Sequence, residues 1–373
     1  MKYIKLSEAC DFQGGSQPPK DEWTFDLKDG YVRMLQIRDF TQSGKTVPEY
    51  VKFTNRLKMC CEDDILIARY GASLGKILTG LAGAYNVAII KAIPDLRILE
   101  KRFLYYYLKS PVFQTALFNV GVRAAQAGFN KEDLRELLIP DISKDKQLEI
   151  VSTLERIERI LLLKQKQSQI LDNLIKARFV EMFGNPISNP KGWATPLIED
   201  VVAKEKNALK AGPFGSALKK EYYVNSGYKI YGQEQVIRED PSFGDYYISE
   251  EKFKQLENCA VQAGDVLISL VGTYGKLLIM PEQFQPGIIN PRLMKITFDR
   301  TKVNPYYFKY YFQSEALKMA LADNTHGGTM DILNLGIVRK LKMPLPPLKL
   351  QNDFNVFIKQ VDKSKVVNIF CVA

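Results

Sequence analysis

Histidine is almost missing from this chain: of 373 residues, only His326 is one. His-rich metal sites are thereby excluded, and acid–base schemes built on imidazole have little to work with. Cysteine is sparse as well, limited to Cys10, Cys60, Cys61, Cys259 and Cys371. No two are spaced as CxxC, and adjacent Cys60 and Cys61 suit neither a zinc site nor an ordinary disulfide framework. They read as reduced structural thiols. Long apolar runs are lacking too. Stretches such as residues 65–68 fall far short of the ~20 residues of a membrane span. Residues 1–8 carry no apolar signal-peptide core. A cytoplasmic protein is the expectation.

Catalytic signatures are equally absent. Gly71, Gly75 and Lys76 invite a phosphate-loop reading, but the spacer is one residue short and Ile77 stands where a magnesium-binding Ser or Thr belongs. Its later counterpart, Gly272, Gly275 and Lys276, is shorter still. Both read as glycine turns after a strand, each presenting a lysine that can meet phosphate. Asn304-Pro305-Tyr306-Tyr307 lacks the second proline of an amino-methyltransferase pocket and follows no Gly-rich cofactor loop. No Ser/His/Asp set or nuclease carboxylate cluster can be assembled.

What is present is an ordinary globular composition, 46% hydrophobic and 25% charged. At ~150 residues per domain the chain holds two or three domains. Its net charge of +10 suits an anionic polymer, because neutralised phosphates release counterions.

The chain also repeats itself, at a period of roughly 200 residues. Residues 64–68 through Gly71, Gly75 and Lys76 return as residues 265–269 through Gly272, Gly275 and Lys276. Beyond this the offset is constant. Asn86 falls on Asn290, Lys91 on Lys295, Asp95 on Asp299, Asn130 on Asn334, Arg135 on Arg339 and Gln147 on Gln351. The aromatic stretch 103–110 is echoed by 307–314. With only two long copies this is a duplicated domain and connector, not a solenoid. Short apolar runs between Gly, Pro, Asn and Asp predict strands and turns, followed by an aromatic helix in each copy. The fold expected is two similar α+β domains.

Between the copies the texture changes. No Pro or Gly occurs from residue 147 to 183, and Ile150, Leu154, Ile157, Leu161, Lys164, Ser168, Leu171 and Ile175 alternate steps of four and three. This is a heptad seam on a helix ~55 Å long. Phe354, Ile358, Val361 and Lys365 carry a matching stripe near the C-terminus. The two helices are expected to pack together as a coiled coil.

Several segments carry a resemblance. Residues 211–220 (AGPFGSALKK), followed by residues 227–233 (GYKIYGQ), resemble the opening of target-recognition domains in type I restriction–modification specificity subunits. So do Gly264 to Ser269 with Gly272, Gly275 and Lys276, and residues 343–351 (MPLPPLKLQ) resemble that family's lead into its helix. Residues 142–147 are a weaker counterpart after the first copy. The resemblance spans nearly the whole chain in the order domain, helix, domain, helix.

It implies target-recognition domains at 1–146 and 184–346, a spacer helix at 147–183, and a C-terminal helix at 347–373. The helices would form an antiparallel coiled coil that docks methyltransferase (modification) subunits. The second helix is shorter than the first, which reads as a truncation. The implied protein is a non-catalytic subunit that binds double-stranded DNA, each domain reading half of a bipartite target. S-adenosylmethionine, ATP and Mg would belong to the modification and translocase–endonuclease partners, with no cofactor or metal in this chain and no membrane association. A stand-alone nuclease or methyltransferase and a non-DNA helical scaffold are the alternatives.

Candidate DNA-binding residues are Lys76, Lys276, Arg69, Arg123, Gln126, Asn130, Tyr274, Gln233, Arg292, His326, Asn334 and Arg339. Arginine pairs with guanine edges, and Asn or Gln with adenine edges. Ile150, Leu154, Ile157, Leu161, Leu171, Ile175, Phe354, Ile358 and Val361 are the expected coiled-coil and partner-docking positions.

Overall fold

The computed structural model describes residues 2–42, 44–121, 128–270, 275–323 and 333–370. It divides into two units, Met1–Leu163 and Lys164–Ala373, with one long helix running from the first into the second. Among the described residues no helix is long and apolar enough to cross a membrane.

The first unit opens with β1 (Tyr3–Lys5), β2 (Cys10–Gly14), β3 (Tyr31–Leu35) and helix α1 (Ile37–Thr41). Then come β4 (Tyr50–Lys52), β5 (Met59–Cys60), β6 (Ile65–Ala68), β7 (Ile77–Leu78), β8 (Gly83–Tyr85) and β9 (Ile89–Pro94). Helices α2 (Lys101–Lys109), α3 (Pro111–Gly121) and α4 (Lys131–Arg135), strand β10 (Leu138–Pro140) and helix α5 (Lys144–Phe183) follow. An antiparallel sheet has the order β2-β9-β6-β7; a second has the order β4-β3-β8-β5, with β3 and β8 parallel. Strand β6 reads ILIA, without polar alternation, because both its faces are covered. Ile65 and Ile67 face one core with the helices, while Leu66 and Ala68 face another.

The second unit repeats the plan. Its strands are β11 (Leu209–Ala211), β12 (Tyr223–Val224), β13 (Tyr228–Tyr231), β14 (Tyr247–Ile248), β15 (Val266–Ser269), β16 (Leu277–Ile279), β17 (Gly287–Ile289) and β18 (Leu293–Ile296). Its helices are α6 (Gln233–Arg238), α7 (Glu250–Gln255), α8 (Pro305–Phe312), α9 (Glu315–Asp323), α10 (Leu335–Arg339) and α11 (Leu348–Phe370). The sheet β11-β18-β15-β16 matches β2-β9-β6-β7, and the parallel pair β13·β17 matches β3·β8.

The repeated polar residues are the joints of this shared scaffold. Gln147 accepts a hydrogen bond from the Glu100 amide (2.7 Å) and donates to the carbonyls of Ile98 (2.9 Å) and Ile142 (3.0 Å). Gln351 does the same with the Asn304 amide (2.9 Å), Lys302 (3.0 Å) and Pro346 (2.8 Å). Each side chain is buried and pins the start of a helix to the loop ahead of α2 or α8. Asn86 and Asn290 close turns by accepting the amides of Ala88 and Arg292. Asp95 and Asp299 cap the following loop in the same way, and the Arg97 guanidinium holds the Asp95 carboxyl at about 2. Lys91 pairs with Asp64, and Lys295 with Asp265. Burial alone would raise Asp64, but its hydrogen bonds from Lys91 and the Cys61 amide outweigh it and lower the pKa. Asp265 is buried more deeply, and desolvation raises its pKa against the pull of Lys295.

Helix α5 is uninterrupted because no Pro or Gly lies within it. The Ser143 hydroxyl accepts the Lys146 amide at its start. Gly184 ends it at φ +81°, the left-handed region that glycine tolerates, and the Trp193 indole donates to the Phe183 carbonyl at 3.0 Å. Its C-terminal part and α11 pack antiparallel. Phe183 meets Phe354 (ring centroids 5.4 Å apart), whereas Lys365, later in α11, bonds Asp172, earlier in α5, at 2.7 Å. Ile175, Phe179, Phe183, Phe354, Ile358 and Val361 share one core with Tyr307 of α8.

Candidate nucleic-acid interface

In both units the strand pair nearest the helices ends in a glycine turn that presents a lysine. Gly75 and Gly275 sit at φ +78° and +76°, and Lys76 and Lys276 are exposed just beyond them. The Ala68 amide donates to the Lys76 carbonyl (3.0 Å), and the Ser269 amide to the Lys276 carbonyl (3.2 Å). A glutamine buttresses each turn. Gln114 of α3 donates to the Gly75 carbonyl at 3.0 Å, and Gln313, the residue closing α8, donates to the Gly275 carbonyl at 2.9 Å. These glutamines are not equivalent in the repeat, so the two copies reach one geometry by different residues.

A second lysine lies beside each turn. In the first unit Lys76 and Lys109 line one open groove of about 480 Å³. Lys109 bonds the Tyr105 hydroxyl at 3.0 Å and lies 3.8 Å from Glu158. In the second unit a groove of about 500 Å³ is lined by Lys276, Lys309, Lys176, Lys318 and Lys365 together with four carboxylates. Lys309 is paired with Glu239. Burial disfavours the Lys365 ammonium, but its hydrogen bonds to the Asp172 and Asp362 carboxylates prevail and raise its pKa. Lys176 and Lys276 make no ion pair in the described structure, which leaves them available to an anion. A lysine on a fixed turn with further lysines beside it suits phosphate oxygens, whose contacts position a protein on a duplex without reading its sequence.

The two copies also match one family model, that of the type I restriction modification DNA specificity domain, over residues 1–172 and 190–367. The chain belongs to this family. It is 22% identical over 357 residues to the type I restriction enzyme MjaVIII specificity subunit of Methanocaldococcus jannaschii, covering 90% of this chain and 80% of that protein. Over 143 residues it is 28% identical to the EcoBI specificity subunit of Escherichia coli, covering 35% of this chain and 29% of that one. Among solved structures, a chain from a study of complex assembly in a type I restriction–modification system matches with a TM-score of 0.57 and 17% identity. That match covers 98% of this chain and 91% of that one. The S subunit from M. genitalium matches with a TM-score of 0.51 and 16% identity, over 98% and 90% of the two chains. These structures share the fold.

Within the specificity domains, several residues expected at DNA have structural duties. Asn130 and Asn334 are helix N-caps. Their Oδ1 atoms accept the amides of Asp133 and Ile337, each at 2.9 Å, which accounts for their constant offset in the repeat. Arg339 faces Glu199 at 3.6 Å and does not join the lysine groove. Arg69 spends its guanidinium on the carbonyls of Phe129 (3.0 Å) and Val87 (3.2 Å). Gln233 and Arg292, by contrast, are brought together with Ser269. Arg123, Gln126, Tyr274 and His326 lie outside the described residues.

Within the chain the heptad seam is covered only in part. Ile175, Phe354, Ile358 and Val361 are buried and Leu171 partly so, but Ile157 and Leu161 are about half exposed. In the first domain α5 packs through Val151 and Gln147, with Ile150 and Leu154 only partly covered. Its next turns hold on by polar contacts, Arg102 to Glu155 (3.0 Å) and Tyr106 to Glu158 (2.7 Å). Periodicity gave the stripe; it could not say which stretch has a facing helix. Lys109, Lys309, Lys176 and the buttressing glutamines were missed. Their signal was a cation or amide on the aromatic helices and α5, visible only once the glycine turns were placed. The thiols of Cys10, Cys60 and Cys259 are free and buried. Burial pushes Cys10 up to about 12 and Cys60 to about 11, so both are unreactive.

Proposed function

We propose that this chain is the DNA-reading subunit of a type I restriction–modification enzyme. Each domain reads one half of a bipartite duplex target, and the helices α5 and α11 dock the modification subunits. The observation that carries the reading is the duplication itself: two copies of one specificity fold, each presenting lysines on a buttressed glycine turn. Catalysis then resides in partner subunits. The modification subunits would use S-adenosylmethionine, and the translocase–endonuclease would use ATP and Mg, all in the cytoplasm. The half-exposed Ile157 and Leu161 on α5 suit such a partner surface.

The test is a gel shift with the purified chain, alone and with its modification subunits, on a pool of random duplexes. Selection of a two-part motif with a fixed unread gap supports the reading. Methylation or cleavage by the chain alone would overturn it, and so would failure to bind duplex DNA with the partners present.

A further inference from the structure

The two domains share a scaffold in register, so the places where their side chains diverge at matching positions are where they can read different bases. One such place stands out at the end of β15. The Arg69 amide donates to the Ala88 carbonyl (2.9 Å), as the Leu270 amide does to the Arg292 carbonyl (2.9 Å). The Asn86 amide donates to the Leu35 carbonyl (3.1 Å), as the Asn290 amide does to the Tyr231 carbonyl (2.8 Å). These bonds equate Ala88 with Arg292. The ends of the two strands equate Ala68 with Ser269, and the first residues of α1 and α6 equate Ile37 with Gln233.

An apolar trio in the first domain thus becomes a polar one in the second. Gln233 donates through Nε2 to the Ser269 hydroxyl at 2.8 Å, which turns its Oε1 toward Arg292 Nη1 at 3.4 Å. The backbone that carries Arg292 is fixed on both sides. Its amide is held by Asn290 Oδ1 at 2.9 Å, its carbonyl by the Leu270 amide, and a Cβ on Gly212 would lie 1.9 Å from the Asn290 carbonyl oxygen. The side chain itself is exposed and lines a pocket of about 730 Å³ with Lys220, Tyr223, Gln233, Tyr246 and Asn290. The Lys276 turn adjoins it, since the Lys276 carbonyl bonds the Ser269 amide.

Resting on the DNA-reading function proposed above, we infer that Arg292, presented by Gln233 and Ser269, reads a guanine edge in the half-site of the second domain. A guanidinium steadied at Nη1 by Gln233 still has donors on Nη2 and Nε that can give two bonds to the O6 and N7 of guanine. Lys276 beside it takes backbone phosphate. The first domain has nothing of the kind at the matching positions, and its nearby Arg69 is engaged by main-chain carbonyls.

The experiment compares the wild-type chain with Arg292→Ala, Arg292→Lys and Gln233→Ala, each assembled with its modification subunits, by selection from random duplexes. The expected wild-type motif has a guanine that all three variants relax. Arg292→Ala should lose about tenfold to hundredfold discrimination at that position and Arg292→Lys, without the planar fork, a smaller part of it, while the other half-site is unchanged. Arg292→Lys keeps the charge and so should keep the salt dependence, separating base reading from phosphate contact. Melting temperatures report whether each variant is folded. A wild-type assembly that selects no motif overturns the functional reading as a whole. A wild-type motif that Arg292→Ala leaves intact, or a loss of affinity equal for all sequences, overturns this assignment alone.

Discussion

Replacing Lys76 by Ala removes a single exposed ammonium from a turn whose backbone is held by Gln114 and by the Ala68 amide, so the fold should be untouched. If Lys76 meets one phosphate, its loss lowers the slope of log K against log salt by about 0.9. Counterion release at one phosphate is then worth about eightfold in affinity at ~0.1 M salt and about fourfold at ~0.2 M. Lys276→Ala should behave alike, and the double variant should lose about sixtyfold at the lower salt, since the two turns belong to separate units. Lys309, already paired with Glu239, releases less, and Lys309→Ala should move the slope by under half as much. The assay is fluorescence anisotropy over a salt series, run on random duplexes and on the selected target, with the modification subunits present. The predicted loss is the same on both. An unchanged slope, or a loss confined to one sequence, would refute the phosphate role of these turns.

Four further outcomes follow from the scaffold. Gln147→Leu and Gln351→Leu each strand three main-chain partners and should cost about 3 kcal/mol; in calorimetry this is a fall of about 6–12 °C for the affected unit. Asp64 has a lowered pKa when folded, so its contribution is present above the unfolded value of ~3.9 and is lost as pH falls through the folded one. Asp64→Asn should therefore destabilise the first unit by about 3 kcal/mol at neutral pH, with the gap to wild type closing in denaturation curves taken below about pH 4. Asn130→Ala and Asn334→Ala should each cost about 1 kcal/mol as lost caps, with the Asp variants nearly neutral and the selected motif unchanged. Deleting seven residues within 157–170 shortens α5 by ~10 Å; selection should return both half-sites with a gap up to ~3 base pairs shorter, or no binding.

Most of the architecture was legible before any coordinates, because duplication leaves a strong trace. Glycines at left-handed turns, the Asp–Lys pairs and the buried glutamines recur in the same order at offsets of 200 to 204 residues, since each closes the same joint in both units. That same logic explains why the site was read less well. Asn130 and Asn334 were candidates because an amide can pair with an adenine edge, yet two domains that read different half-sites should repeat their scaffold and vary their readers. Gln233 and Arg292, which stand against Ile37 and Ala88, were named as candidates from their residue type, but nothing periodic in the sequence joins them. Their proximity depends on strand register across the two sheets. The lysines of the grooves were hidden for a related reason. They come from α2 in the first unit and from α5, α8, α9 and α11 in the second, and each set joins its glycine turn only after folding.

The central claim is that one chain carries two separate readers, and sequencing the methylated bases of a strain carrying it with its partner subunits tests that most directly. The expected result is one bipartite motif, two unlike half-sites separated by a fixed number of unread base pairs. Introducing Arg292→Ala into that strain should then change one half-site and leave the other and the gap as they were. A single contiguous motif, or methylation without a sequence requirement, would contradict it.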